Sequence, residues 1–307
     1  MENKIIFIVN PIAGQGAGKL APPEIERLAK DLHLDYEIVC TEQPGHAINL
    51  AQQAAINGFN PVISVGGDGT SNEVLNGLMR AWNQGFKDTN MGIIGVGRGN
   101  DFAYGFSIPA GLDEGFKVIQ KNQPRFMDVG FILGGDFPQG RYFGNGVGIG
   151  FDAVVGFEAA KLTHLHGFIN YVVAALRTIF LYFHAPILRI EYDNNVLTQP
   201  SLMVSIMNGR RMGGGFMMAP SALTDDGLLD LCIAGQLSRM GILRLIPKFM
   251  KGTQAAHPQI KIGNASKVQV IALDGVLPAH ADGETICVAG KELMIEIIKR
   301  PIKILCG

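Results

Sequence analysis

The first hundred residues alternate short apolar runs with helical patterns, and this restricts the fold more than any other feature. The runs are IIFIV (Ile5–Val9), YEIVC (Tyr36–Cys40), VISV (Val62–Val65) and GIIGV (Gly92–Val96). Between them, helical patterns cover Pro22–His33, with proline in its first turn, His46–Asn57, ended by Gly58, and Ser71–Trp82. Strand and helix alternating at this interval imply βαβ units and a parallel sheet. Runs this apolar agree, because parallel strands are buried on both faces.

After about Asp128 the pattern changes. RYFGNGVGIG, ILRIEYDNN, SLMVSIMN, LLDLCIAG, KVQVIALDG and ETICVAG read as strands. Their spacing suits antiparallel pairing in a sandwich. Helical stretches interrupt them around Gly167–Phe183 and Arg239–Met250. The expected division is an α/β domain over 1–128 and a β-rich, sandwich-like domain over 129–296. Residues 297–307 can add strands back to the first. The chain's 307 residues suffice for two domains of ordinary size.

Composition removes several function classes. With 47% hydrophobic and 17% charged residues, the chain can bury large cores, and disorder is excluded. A net charge of -1 leaves no electrostatic footprint for nucleic acid. Cys40, Cys232, Cys287 and Cys306 are far apart and form no Cys-x-x-Cys pair. They fit reduced thiols in a cytoplasmic protein, not a disulfide framework or a zinc site. MENKIIFIVN has too short an apolar run for a signal peptide. The most hydrophobic stretch, Gly167–Phe183, contains Asn170 and Arg177 and is short for a membrane span. It reads as a buried or cleft-lining helix, and association with a membrane surface stays open.

Chemistry is concentrated where strands end. VISV runs into Gly66-Gly67-Asp68-Gly69-Thr70 and a helix follows at once. NPIAGQGAGK follows the first strand and GVGRGNDFA the fourth. Ligands of parallel α/β sheets sit outside the carboxyl ends of the strands, so the three loops should border one crevice. Glycine lets backbone N–H groups approach a phosphate, and a helix start adds partial positive charge. Asn10, Asn100 and Asp101 supply polar side chains there. Asp68 would repel phosphate on its own. It makes sense as a holder of Mg²⁺ or as a partner of a nucleotide hydroxyl or base. Residues 1–128 are therefore expected to form a nucleotide-binding domain with a Rossmann-like parallel sheet. APSALTDDGLLDL (Ala219–Leu231) and HADGETI (His280–Ile286) carry Asp-Gly pairs that pattern alone reads as turns between strands.

These motifs, in this order, resemble the bacterial diacylglycerol kinase and lipid kinase family, related to the sphingosine kinases, nearly end to end. The resemblance rests on Asn10-Pro11-x-Ala13-Gly14, Gly66-Gly67-Asp68-Gly69-Thr70 and Gly97-x-Gly99-Asn100-Asp101-Phe102-Ala103. It continues through Asn145-Gly146-x-Gly148-x-Gly150-Phe151-Asp152, Gly213-Gly214-Gly215, Ala219-Pro220-x-Ala222, Asp226-Gly227-x-Leu229-Asp230 and Asp282-Gly283-Glu284. It implies an NAD kinase/diacylglycerol kinase-like fold with the active cleft between two domains. It implies transfer of the ATP γ-phosphoryl group to a lipid hydroxyl with Mg²⁺, diacylglycerol to phosphatidic acid first among the candidates. Residues 129–296 would then take the lipid.

The resemblance also implies roles. Asn10, Pro11, Ile12, Ala13, Gly14, Thr41 and Gly66 through Asn72, which includes Thr70 and Ser71, would contact ATP, as would Asn100 and Asp101. Asp68, Asp101 and Asp128 would form an acidic set near Mg²⁺. Asp226 would stand at a structural metal held partly by the carbonyls of Leu223 and Leu228. Asp282 would be the general base. Glu284, at strand spacing from it, would hold metal or itself be the base. Arg98 stands where the family usually has threonine, and Gln15 where some members have lysine. Arg98 can reach a phosphate, stack on a base or turn outward. Other readings are a kinase for phosphatidylglycerol or a sphingoid base, an NAD kinase, and a non-catalytic nucleotide or lipid sensor. The expected location is cytoplasmic, peripheral at the inner membrane surface; a homodimer is left open. His164 and His166, the methionines 212, 217 and 218, and the basic run Lys299–Lys303 are read as cleft or surface, core filling and a solvated strand end.

Overall fold

In the first unit of the chain the apolar runs become strands β1 (Ile5–Val9), β2 (Tyr36–Cys40), β3 (Val62–Gly66) and β4 (Asn90–Gly95). They lie in the order β4-β3-β1-β2, all parallel, with Val9 beside Cys40 and Val65, and Gly66 beside Gly95. The C-terminal residues Lys303 and Ile304 add a further parallel strand beside Asn90 and Met91. Every residue of β1 and β3 is buried, as a sheet covered on both faces requires. The covering helices are α1 (Ala17–Asp31), α2 (His46–Ile56), α3 (Asp68–Asn83), α4 (Asp101–Gly105) and α5 (Leu112–Lys121). Phe7 of β1 stacks on Phe116 of α5 at 5.4 Å between ring centres.

The structure is a computed structural model that describes residues 4–97, 99–162, 167–181 and 184–307. It forms two compact units, Met1–Val129 with Lys299–Gly307, and Gly130–Ile298. The chain passes between them within β5 (Pro124–Gly134) and within its final strand. Arg98, His164 and His166 lie outside the described residues, as do the last two residues of the expected helix over 167–183. Two helix starts differ from expectation, α3 opening at Asp68 and not at Ser71. α1 begins at Ala17, so Pro22 and Pro23 lie inside it and not in its first turn. Gly18 accounts for the early start, because it packs on the loop after β1: a Cβ there would lie 2.0 Å from the Asn10 carbonyl oxygen.

The second unit contains β6 (Phe137–Phe143), β7 (Gly146–Gly150), α6 (Phe151–Lys161), α7 (Gly167–Leu181), β8 (Ile187–Tyr192) and β9 (Asn195–Met207). It continues with β10 (Leu229–Gly235), α8 (Arg239–Lys251), β11 (Ile260–Ala265), β12 (Lys267–Ala272), β13 (Leu277–Ala281), β14 (Glu284–Gly290) and β15 (Glu292–Leu305). β9 serves two layers. Asn195–Pro200 pairs with β8, which leads to β12 and β15. Met203–Met207 pairs with β7 and β10, which lead to β13, β14 and β11. All these pairs are antiparallel.

Period-two alternation sorts the second layer into two faces. Val147, Ile149, Val204, Ile206, Leu231 and Ile233 face the first layer and fill the sandwich core with Leu188, Val268 and Leu293. Met203, Met207, Cys232 and Ala234 point the other way, into a second core closed by α6, α7 and α8. The three alternate glycines of β7 share that helix-covered face.

Candidate functional site

In the first unit, the loops after β1, β3 and β4 leave the same end of the sheet, and Thr41 follows β2 there. The loops touch through backbone. A Cβ on Gly14 would lie 2.0 Å from the Val96 carbonyl oxygen, and one on Gly97 would lie 2.4 Å from the Gly67 Cα. Bare backbone is therefore needed first for the loops to pack on one another. Gly66 answers to the turn itself, since its Cβ would meet the Thr70 side chain at 2.4 Å.

Polar side chains brace the same loops. Asn10 Nδ2 donates to Thr70 Oγ1 at 3.0 Å, and Asn10 Oδ1 accepts the Ile12 N–H at 3.1 Å. Asn100, at φ +51, donates through Nδ2 to the Gly97 carbonyl, and its buried Oδ1 has no hydrogen-bond partner among the described residues. Pro11, Ile12 and Ala13 cross the first loop, with Ile12 79% exposed. Ser71 and Asn72 are buried instead. The Ser71 hydroxyl meets that of Ser64 at 3.1 Å, and Asn72 accepts from Asn76. α3 starts at Asp68, so Gly69 and Thr70 lie in a first turn whose N–H groups lack intrahelical acceptors.

Asp68 and Asp101 come together. A Cβ on Gly99 would lie 2.9 Å from Asp68 Oδ2 and 3.3 Å from Asp101 Oδ2. Asp68 Oδ1 also accepts the Phe102 N–H at 2.9 Å, capping α4. Asp128 is fully buried in β5, where Oδ1 accepts the Arg300 N–H at 2.7 Å. Among the described residues no three His, Cys, Asp or Glu side chains cluster to hold a metal by themselves. Mg²⁺ usually takes one or two carboxylates with substrate phosphates, and the Asp68–Asp101 pair fits that donor set.

In the second unit, Asp282 and Gly283 form the tight turn between β13 and β14, both with positive φ, +48 and +85. The Asp-Gly turn reading and the functional reading therefore meet in one residue. The strand-spacing argument for Asp282 and Glu284 does not hold, because Asp282 lies in the turn and Glu284 opens β14. Asp282 is 5% exposed, and its carboxylate is caged by backbone. Its Oδ2 accepts the Gly144 N–H at 2.7 Å, and its Oδ1 accepts those of Asn145 and Gly146 at 3.0 and 2.9 Å. Glu284 is partly exposed.

Beside this cage lies a buried polar row that sequence reasoning left without a role. Register places His280, Gly148, Ser205 and Cys232 side by side across β13, β7, β9 and β10. Asp152, in the first turn of α6, reaches over them. Its Oδ2 accepts from Ser205 Oγ at 2.7 Å and its Oδ1 from the Ala153 N–H at 2.9 Å. Gly148 makes the room: a Cβ there would lie 2.5 Å from His280 Nε2 and 2.7 Å from Asp152 Oδ2. Burial pushes Asp152 up to about 7, His280 down to about 4 and Cys232 up to about 12. The legible signal was the Gly-x-Gly-x-Gly alternation of β7, which reserves one strand face for something other than side chains.

Asp152 also lines a cavity of about 70 Å³ between the helices and the second layer. Val155, Ala175, Met203, Leu245 and Phe249 are among its walls, which are otherwise apolar. A separate cavity of about 180 Å³ is lined by Asp230 and Gln254. Burial first, then the charge of Asp226, pushes Asp230 up to about 6. Asp226 sits in an exposed turn where Oδ1 accepts the Leu228 N–H at 3.0 Å, and Leu223 is 49% exposed nearby in sequence.

The chain matches two family models: the diacylglycerol kinase catalytic domain over residues 4–132, and the YegS C-terminal NAD kinase beta sandwich-like domain over 145–306. It is 34% identical to a YegS-like lipid kinase of Chromohalobacter salexigens, over 80% of this chain and 76% of that one. It is 28% identical to a diacylglycerol kinase of Mycobacterium tuberculosis, over 92% and 89%. A crystal structure of a diacylglycerol kinase from Bacillus anthracis superposes with TM-score 0.72 at 22% identity, over 100% and 97% of the chains. Yeast NADH kinase superposes with TM-score 0.53 at 12% identity, over 100% and 83%. The last two establish the fold, an α/β domain followed by a β sandwich.

Proposed function

The chain belongs to the diacylglycerol kinase and YegS-like family of lipid kinases, which are ATP-dependent phosphotransferases, and on that premise we propose that it transfers the ATP γ-phosphoryl group to the free hydroxyl of diacylglycerol, forming phosphatidic acid. The apolar cavity of the second unit carries this reading. Its apolar walls suit acyl chains, while a charged dinucleotide acceptor would meet almost no polar partner there. That observation favours a lipid over NAD as the acceptor.

Phosphoryl transfer asks a protein mainly for positioning and charge neutralisation. In this reading the phosphates lie against the loops at Asn10–Gly14 and Gly66–Thr70, at the start of α3, where N–H groups and the helix dipole favour anions. Asn100 offers its buried Oδ1, without a partner among the described residues, to a nucleotide donor group. Asp68 and Asp101 would hold Mg²⁺, which when bound would neutralise phosphate charge. Asp282 accepts the hydroxyl proton as the new O–P bond forms, while the bond from γ-phosphorus to the bridging oxygen breaks and ADP departs. Its backbone cage fixes the carboxylate in place. A weak base suffices, because the proton need move only late in the transfer. Glu284 assists as a neighbouring anion. Peripheral association with the inner membrane surface belongs to the same reading; among the described residues no helix is long and apolar enough to cross a membrane.

The test is a panel of lipids with labelled ATP: diacylglycerol, phosphatidylglycerol, a sphingoid base, and NAD as a soluble control. Label in phosphatidic acid alone is expected. Label in another lipid or in NADP with none in phosphatidic acid would replace the acceptor.

A further inference from the structure

The outer faces of α7 and α8 have a composition that folding does not require. Ala174, Ala175 and Ile179 are the buried side of α7, and Ile242, Leu245 and Phe249 that of α8. The opposite side is apolar as well. Ile169 is 64%, Leu176 41% and Phe180 71% exposed on α7, and Met240 is 59% and Met250 43% exposed on α8. Contiguous exposed apolar side chains of this size mark an interaction surface.

The charge of the same two helices is one-sided. Arg177, Arg239, Arg244, Lys248 and Lys251 are basic, and neither helix has an acidic residue. The whole chain, by contrast, has a net charge of -1. The Arg239 guanidinium lies over the Phe180 ring at 5.5 Å, so cation and apolar ring share one patch across the two helices. Long basic side chains can lay their stems along apolar surface and keep their charges at the headgroup level. Exposed apolar groups interleaved with arginine and lysine, without acids, are complementary to anionic lipid and poorly matched to a protein partner's acidic and apolar groups in fixed register.

Position adds a third argument. The inner sides of these two helices wall the apolar cavity, through Ala175 on α7 and Ile242, Leu245 and Phe249 on α8. We infer that the outer face of α7 and α8 docks on an anionic bilayer, setting the acyl-chain cavity directly behind the membrane-facing surface. The inference rests on the lipid-kinase reading for the use of the cavity, and its test reads docking separately from catalysis.

Purified protein is sedimented with vesicles of phosphatidylcholine, with and without phosphatidylglycerol. Wild type is expected to sediment with the anionic vesicles and to be released by salt. Arg177→Gln and Arg244→Gln should each weaken binding about fivefold. Phe180→Glu should weaken it tenfold or more. All three should keep wild-type activity on a short-chain diacylglycerol dispersed in water, which needs no bilayer and also reports that the variants fold. Wild type that stays in the supernatant, or variants that sediment as wild type does, would overturn the inference. So would a Phe180→Glu variant that dissociates a wild-type dimer without changing vesicle binding, because the face would then belong to a second copy. Loss of vesicle binding in the variants, with no lipid phosphorylated by any form, would leave the docking face standing and refute the kinase reading.

Discussion

Asp282 is a carboxylate whose oxygens accept three backbone N–H groups, from residues more than 130 positions earlier in the chain. Asp282→Asn puts an amide donor where N–H donors already point, so it should cost about 1–3 kcal/mol of stability besides removing the base. Turnover is expected to fall on the order of 10²–10⁴-fold, and Glu284→Gln should cost less. Equal stability and turnover in Asp282→Asn, with turnover abolished by Glu284→Gln, would exchange their roles. Asp152 and His280 give a second residue-scale expectation. Burial raises Asp152 from 3.8 to about 7, so its contribution is full at low pH and is lost as pH rises through that window. Burial lowers His280 from 6.5 to about 4, so its contribution is full above 6.5 and is lost as pH falls toward 4. Between pH 4 and 6.5 the two slopes oppose. Relative to wild type, Asp152→Asn should lose stability on acidification by on the order of 1 kcal/mol per pH unit, and His280→Gln should gain it. Urea unfolding at a series of pH values checks this; variants that parallel wild type would contradict it.

The elements explain what could and could not be read in advance. Strands β1, β3 and β4 were legible because burial on both faces leaves a continuous apolar run, and β2, a half-exposed edge strand, because Tyr, Ile and Val favour strands. The site motifs were legible because glycine and aspartate crowd the strand ends. α6 was not legible: FDAVVGFEAAK has apolar and small residues all around, since it packs against the second layer and α7, and no helical stripe survives. The polar row of His280, Ser205 and Asp152 was hidden for a different reason. Register, not sequence proximity, assembles it. Two glycine substitutions test the packing roles. Gly97→Ala should separate the loops after β3 and β4 and weaken ATP binding tenfold or more with little effect on lipid binding. Gly148→Ala should cost about 1–3 kcal/mol by driving a methyl group into His280 and Asp152. Calorimetric nucleotide titration reads the first and urea unfolding the second; unchanged values would mean the backbone yields without penalty.

At the scale of the whole molecule, two kinds of building carry two kinds of task. A parallel sheet gathers loops at the carboxyl ends of its strands, which suits phosphates. A sandwich whose second layer has a helix-covered face yields an apolar cavity, which suits acyl chains. The membrane-facing helices form the outer wall of that cavity, so recruitment and lipid capture use opposite sides of the same elements. The proposed reaction is transfer of phosphate from ATP to diacylglycerol with Asp282 as base. Incubating wild type and Asp282→Asn with γ-labelled ATP, Mg²⁺ and diacylglycerol in anionic vesicles, and separating the lipids, tests it directly. Label in phosphatidic acid with wild type, reduced at least a hundredfold in a folded Asp282→Asn protein, is the expected result. Wild type that binds ATP but leaves phosphatidic acid unlabelled, or a variant that labels it at the wild-type rate, would contradict it.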